Sequence, residues 1–226
     1  MTTQLHVTAL GLPGVLLLKS IVHADARGSF TQSWQAADWR AAGVDIAFMQ
    51  DNLVCNARRG TLRGMHWQRE PHAQAKAVQC VRGALLDVVA DVRPESSLFG
   101  RWISVELKAG EGESLYVPAG YAHGYVTTED DTIVLYKVDK PWVPGSEASC
   151  RWNDPTLNID WRCENPILSE KDAAAPFLLP CERSECRKAC RSGRLFSQVD
   201  LFLRVFRVKS LSLLDELPDH AHEDGA

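Results

Sequence analysis

The sequence predicts an all-β fold, a barrel or jelly roll, on two observations. Short runs of alternating apolar and polar residues dominate positions 14 to 145, and turn residues part them at near-regular spacing. Leu86, Val88, Ala90 and Val92 fall on one face of an extended segment, with Asp87, Asp91 and Arg93 on the other. Ile103, Val105 and Leu107 alternate in the same way with Ser104, Glu106 and Lys108. A period of two is the mark of a half-buried antiparallel strand, because successive side chains leave opposite faces of the sheet. Arg59-Gly60, Arg82-Gly83, Ala109-Gly110-Glu111-Gly112 and Glu129-Asp130-Asp131 supply the turns.

Taken along the chain, Gln4 to Leu10 and Gly14 to Leu18 each read as a strand. Val15-Leu16-Leu17-Leu18 is far too short for a membrane span or a signal core. Ala36 to Ala42 reads as the one helical interruption, ended by Gly43. Arg63-Gly64-Met65-His66-Trp67-Gln68 and the run ending at Lys76 read as neighbouring strands. Composition changes after about Pro180: from Cys181 to Lys209 there are eight Lys/Arg against three acids. We therefore divide the chain into a β domain over 1–180 and a tail over 181–226, within which 199–214 reads as a short amphipathic helix or a strand pair.

A length of 226 residues and 45% hydrophobic content support one ordinary domain with a proper core. A net charge of −4 gives no general case for nucleic-acid binding. The seven cysteines are an odd, scattered set in a domain large enough not to need staples, which points to reduced thiols and a cytoplasmic protein. Cys181, Cys186 and Cys190, with His220 and His222 beyond, have the spacing of an incomplete metal clip and are read as incidental.

The chemistry-bearing residues are a base, a cation and a phenol: His66, Lys76 and Tyr136. Converging in one barrel, they suit removal of a proton beside a ketone, stabilisation of the enolate and return of a proton. That is the chemistry of racemisation or epimerisation. Arg63, His66, Gln68 and Lys76 are all expected to line the barrel, where so many polar groups call for a ligand or mutual pairing. His72 lies in a proline-flanked loop and is read as structural. Pro118-x-Gly120-x-x-His123 resembles the second motif of cupin barrels, a jelly-roll, double-stranded β-helix class. Where metal-binding cupins carry His-x-His, this chain has His66-Trp67-Gln68. With only His66 and His123 left as good ligands, no metal and no cofactor are expected.

A longer ordered set is more specific. Arg27-Gly28 with Phe30, Gln50-Asp51-Asn52, Arg63-Gly64-Met65-His66, Pro71-His72-Ala73-Gln74-x-Lys76, Phe99-Gly100, the His123 motif, Leu135-Tyr136-Lys137, Trp152-Asn153-Asp154-Pro155 and Ser169-x-Lys171-Asp172 follow one another. In this the chain resembles the dTDP-4-dehydrorhamnose 3,5-epimerase family of deoxysugar biosynthesis, over roughly residues 12 to 178. The resemblance implies a cupin-like jelly roll with a few short helices, and epimerisation of dTDP-4-dehydro-6-deoxy-D-glucose at C3 and C5 through an enolate. It implies that His66 is the general base, oriented by Asp172, that Lys76 stabilises the enolate oxygen, and that Tyr136 is the acid on the opposite face. It implies phosphate contacts from Arg27 and Arg63, hydrogen bonds from Gln50 and Asn52, packing by Phe30, and a sugar contact from His123. A homodimer is implied as well.

Two positions depart from the family pattern. Gln32 stands where family members commonly have Glu, at the nucleobase end. Pro141-Trp142-Val143-Pro144 stands in place of a Tyr-Tyr-x-Pro run that overhangs the sugar in the family, so the resemblance implies a sugar contact from Trp142. The second departure keeps a single-carbon 3- or 5-epimerase as an alternative, and a non-catalytic nucleotide-sugar-binding cupin is the alternative from another class.

Overall fold

The computed structural model describes residues 5–178, and the expected tail lies outside them with its cysteines and its helix or strand pair. The described residues run through thirteen strands and two short helices. In order they are β1 (His6–Ala9), β2 (Leu16–Lys19), β3 (Val22–Asp25), β4 (Gly28–Thr31), α1 (Ala36–Ala41), β5 (Gln50–Asn56), β6 (Leu62–Gln68), β7 (Lys76–Arg82), β8 (Ala84–Asp91), β9 (Trp102–Lys108), β10 (Glu113–Val117), β11 (Tyr121–Thr127), β12 (Thr132–Val138), β13 (Glu147–Ser149) and α2 (Glu170–Ala173). Six strands form one sheet in the order β1-β2-β10-β7-β12-β5, and five form another in the order β13-β6-β11-β8-β9. Strands β3 and β4 make a separate hairpin. Every pairing among these strands is antiparallel. The expected strands at either end of the first proline turn are β1 and β2. The expected helix is α1, with the Gln35 side chain accepting from the Asp38 amide and Gly43 in the left-handed region at φ +91°.

Between the two sheets lies an apolar core. Val78, Cys80, Leu115, Val117 and Val134 come from the six-stranded sheet, and Leu85, Val89, Leu107, Tyr121 and Tyr125 from the five-stranded one. The outer faces are covered too. Trp39 of α1 and Val44 pack on Leu18, Ala77 and Tyr116. Leu157, Trp161 and Cys150, from the segment that follows β13, pack on Leu62, Leu86, Val88, Ala90 and Val126.

That second cover overturns the reading of residues 86–93 as a half-buried strand. Strand β8 is buried on both faces, and Asp87 and Asp91 are 0% exposed. Alternation is kept at the end of β9, an edge strand whose Glu106 and Lys108 remain exposed around buried Leu107.

The buried Asp91 is satisfied locally. It accepts from the Arg93 backbone amide and guanidinium and from the Ser96 hydroxyl, and Arg93 also donates to the Tyr121 hydroxyl at 2.8 Å. Burial pushes the Asp91 carboxyl up, and these hydrogen bonds outweigh it and hold it below its ordinary value. Its contribution to stability is therefore complete above the ordinary carboxylate range and is lost as pH falls through the folded value. Replacing Asp91 by Ala strips several donors of their acceptor. It is expected to cost about 2–3 kcal/mol, read as a lower urea midpoint at unchanged slope.

Candidate active site

Strand parity alone does not bring Arg63 and His66 to the same side, since they are three residues apart. A register shift between β6 and β11 does. His66 pairs with His123 and Arg63 with Tyr125, so three steps on β6 face two on β11. Such a bulge re-aims the side chains beyond it. The backbone of Gly64, at φ +129°, makes it possible. A Cβ there would lie 2.6 Å from the Cα of Gly124, and a Cβ on Gly124 would lie 2.9 Å from the Arg63 carbonyl oxygen. Only two glycines admit that approach.

Arg63 and His66 thereby open on a cavity of about 310 Å3 at one end of the barrel, together with Lys76, His123, Tyr125, Tyr136, Lys171 and Asp172. Lys76 and Val78 share the inner face of β7, as Val134 and Tyr136 share that of β12. Asp172 comes from outside the sheets. It sits in α2, whose N-cap Ser169 accepts from the Asp172 amide at 3.1 Å. The expected four, His66, Lys76, Tyr136 and Asp172, thus meet in one place with Arg63 and His123.

Within the cavity His66 Nε2 lies 2.6 Å from Asp172 Oδ1, and the Asp172 side chain is 5% exposed. Burial pushes the Asp172 carboxyl up, yet the hydrogen bonds and charge of His66 prevail and hold it low. A carboxylate on Nε2 fixes the proton there and leaves Nδ1 as the basic nitrogen. Burial draws the Lys76 ammonium down to about 8, against the pull of Asp87 and Glu147 upward. Burial raises the Tyr136 phenol, with Arg63 acting in the opposite sense, so it holds its proton at neutral pH. The site therefore presents a base, a cation and a proton donor at once.

Several residues of the site are not legible from sequence patterns. Asp87, expected on the polar face of its strand, accepts from His123 Nε2 at 2.7 Å, and its other oxygen is buried without a partner. An acid inside the run Leu85-Leu86-Asp87-Val88-Val89-Ala90 was the available signal. Asn56 accepts from Arg63 Nε at 2.9 Å and holds the guanidinium in place. Tyr125 has its hydroxyl pushed up to about 12 by burial.

Other expected residues lie elsewhere. Gln68 does not line the cavity as expected. Its amide donates to the His72 and Pro141 carbonyls and accepts from the Val143 amide, because it braces the two loops beside it. Arg27, 90% exposed, pairs with Asp25 at the hairpin turn, and Phe30 on the same hairpin is 70% exposed. Gln32 donates to Asp38, and Gln50 donates to Asn52, the residue opposite Tyr136 on β5. Trp142 is exposed and donates to Glu147, which also holds Lys171 at the cavity rim at 2.7 Å. Among the described residues no cluster of three or more His, Cys, Asp or Glu is placed to hold a metal ion. The four described cysteines are free thiols, and no described helix is long and apolar enough to cross a membrane.

The sequence matches the dTDP-4-dehydrorhamnose 3,5-epimerase family over residues 9–179. The chain belongs to this family. A relative of that name from Sinorhizobium fredii is 39% identical over 180 residues, covering 79% of this chain and 91% of the relative. The crystal structure of a dTDP-4-dehydrorhamnose 3,5-epimerase from Bacillus anthracis, with TDP and PPi bound, is 38% identical with a TM-score of 0.74, covering 76% of this chain and 99% of the other. A 3'-monoepimerase from Streptomyces bikiniensis, in complex with dTDP-quinovose, is 34% identical with a TM-score of 0.72, covering 81% of this chain and 95% of the other. The jelly-roll architecture expected for the epimerase domain agrees with these likenesses.

The position of Lys76 gives a pH prediction with opposite signs for activity and stability. A cation that steadies an oxyanion works only while protonated, so kcat/KM is expected to fall as pH rises through about 8. The folded value lies below the unfolded one, so between about 8 and the ordinary 10.5 the unfolded chain binds the extra proton. Over that window this group makes folding stability rise with pH. Lys76→Arg, which stays charged, is expected to remove the alkaline limb near 8 from the kcat/KM profile.

Proposed function

We propose that this protein epimerises dTDP-4-dehydro-6-deoxy-D-glucose at C3 and C5 to give dTDP-4-dehydro-L-rhamnose. The observation that carries the reading is the His66–Asp172 pair, 2.6 Å apart, in one cavity with Lys76 and Tyr136 in a member of this family. A carbon-bound hydrogen becomes acidic only when the adjacent C4 carbonyl takes the electron pair. In this reading His66 removes that proton, the pair moves through the new C=C bond onto O4, and Lys76 meets the negative oxygen. Asp172 balances the imidazolium that forms. Tyr136 then gives its proton to the opposite face of the same carbon as the carbonyl re-forms. Exchange with solvent returns a proton to Tyr136 and takes one from His66. These side chains supply base, oxyanion partner and acid, so the step calls for no cofactor.

At the nucleotide end, Arg63 is held by Asn56 at the cavity wall and is suited to a phosphate. His123 lies deep enough to meet the sugar. Arg27, Phe30, Gln32, Gln50 and Asn52 are assigned to the nucleotide on the resemblance alone. We place the enzyme in the cytoplasm, where free thiols persist. We also propose a homodimer, since β1 is an edge strand with all four residues exposed. A chain truncated before Val15 is then expected to sediment as a monomer, and a dimer from that chain would argue against this route.

Epimerisation at one carbon is the second reading, favoured by Trp142, which is linked through Glu147 to Lys171 at the cavity rim, and by the likeness to a monoepimerase. Incorporation of solvent deuterium at C3 and C5 separates the two. Comparable rates at both carbons support double epimerisation; C3 exchange with C5 silent supports the second reading. His66→Ala is expected to lower exchange at both carbons by on the order of 100-fold or more while dTDP still binds. Tyr136→Phe is expected to leave C–H exchange measurable and to suppress inversion. Equal loss of both in Tyr136→Phe would remove Tyr136 from the acid role.

A further inference from the structure

Asp172 reaches His66 from a helix of only four residues. A single turn has no stability of its own, because fixing its first residues costs more than one hydrogen bond returns. Something outside α2 must therefore set where the carboxylate stands. The segment carrying α2 is fastened at both ends. At its start Ile167 donates to the Gly60 carbonyl at 2.8 Å and accepts from the Leu62 amide at 2.9 Å, at the foot of β6. Past α2, the Pro176 carbonyl accepts from the Arg151 amide at 2.8 Å and the Ala175 carbonyl from Arg151 Nε at 3.1 Å.

The last fastening is made by Asp154, in the Trp152-Asn153-Asp154-Pro155 motif to which the chemistry assigns no task. Asp154 is 1% exposed. Its Oδ1 accepts from the Thr156 and Leu157 amides at 2.8 and 3.2 Å, and its Oδ2 accepts from the Leu178 amide. The Thr156 hydroxyl donates to the Leu178 carbonyl at 3.2 Å. One turn thus grips Leu178 by both its amide and its carbonyl. Asp154 is not among the cavity-lining residues, so it does not itself face the chemistry.

We propose that Asp154 is a positioning residue for the base: its carboxylate anchors the strap that holds Asp172 against His66. The inference rests on the assignment of His66 and Asp172 made above. A buried carboxylate suits the task because it accepts from donors on both sides of the turn at once. An amide in its place turns one donor toward a donor, so the grip on Leu178 fails while volume is kept.

The test is solvent-deuterium exchange into dTDP-4-dehydro-6-deoxy-D-glucose by the full chain, for Asp154→Asn, Asp172→Asn, the double variant and His66→Ala. Asp154→Asn is expected to lower kcat on the order of 10- to 100-fold, as small misplacements of a catalytic group do, with KM and dTDP affinity unchanged. The double variant is expected to lose no more than Asp172→Asn alone, within about twofold. Wild-type kcat in Asp154→Asn, or a double-variant loss equal to the product of the single losses, would overturn the proposal. If Asp154→Asn does not fold, Thr156→Val, which removes only the hydroxyl grip on Leu178, goes through the same cycle with the same two readings. Near-normal exchange in His66→Ala would instead bring down the assignment of the base, and the proposal with it. Loss in His66→Ala beside wild-type kcat in Asp154→Asn isolates a failure of the proposal alone.

Discussion

The backbone contact between Gly64 and Gly124 is the constraint on which the site depends. It lets β6 and β11 approach closely enough to slip by one residue against each other, and the slip turns Arg63 and His66 to the same side. Without it, strict alternation would send one of them into the packing beneath Trp161. Either glycine replaced by alanine would drive a Cβ into the opposite backbone, where no flexible side chain can yield. An arginine and a histidine that open on one cavity from one short strand are thus a consequence of two missing side chains.

Placing so many ionisable groups in a barrel is costly unless they satisfy one another. Here they pair in a nested way. His66 faces Asp172, His123 faces Asp87, and Lys76 stands in the field of Asp87 and Glu147. Below them the barrel is filled by Leu85, Val89, Leu107, Leu115 and Val134, and this dry floor gives the electrostatics above it their strength. The unpartnered oxygen of Asp87 is the exception, and it lies on the same strand pair as His123.

The all-β architecture, α1 and the first two strands were legible because period-two alternation and glycine-bearing turns are local signals. The double burial of β8 was not. Its outer cover, with Trp152, Leu157 and Trp161 at irregular spacing, has no periodicity, so Asp87 and Asp91 were given the exposed face of a half-buried strand. The inward turn of both Arg63 and His66 was equally hidden, since a bulge is a relation between strands. His66, Lys76, Tyr136 and Asp172 were named together through an ordered resemblance, and the fold brings them together. Gln68 has no local signal of its place: polarity on a barrel strand suits a lining role and a brace equally, and its amide braces two loops.

The dyad joins residues 106 positions apart in the chain, and this separation has a consequence for synthesis. Every described strand is complete by Ser149, so a chain released before Leu178 would contain the residues of both sheets and the imidazole but would lack the fastening that Asp154 makes with Leu178. His66 has its counter-charge only where residues 167–178 are fastened to β6, to Arg151 and to Asp154. Under the proposed roles of His66 and Asp172, catalytic competence depends on residues made after all the described strands.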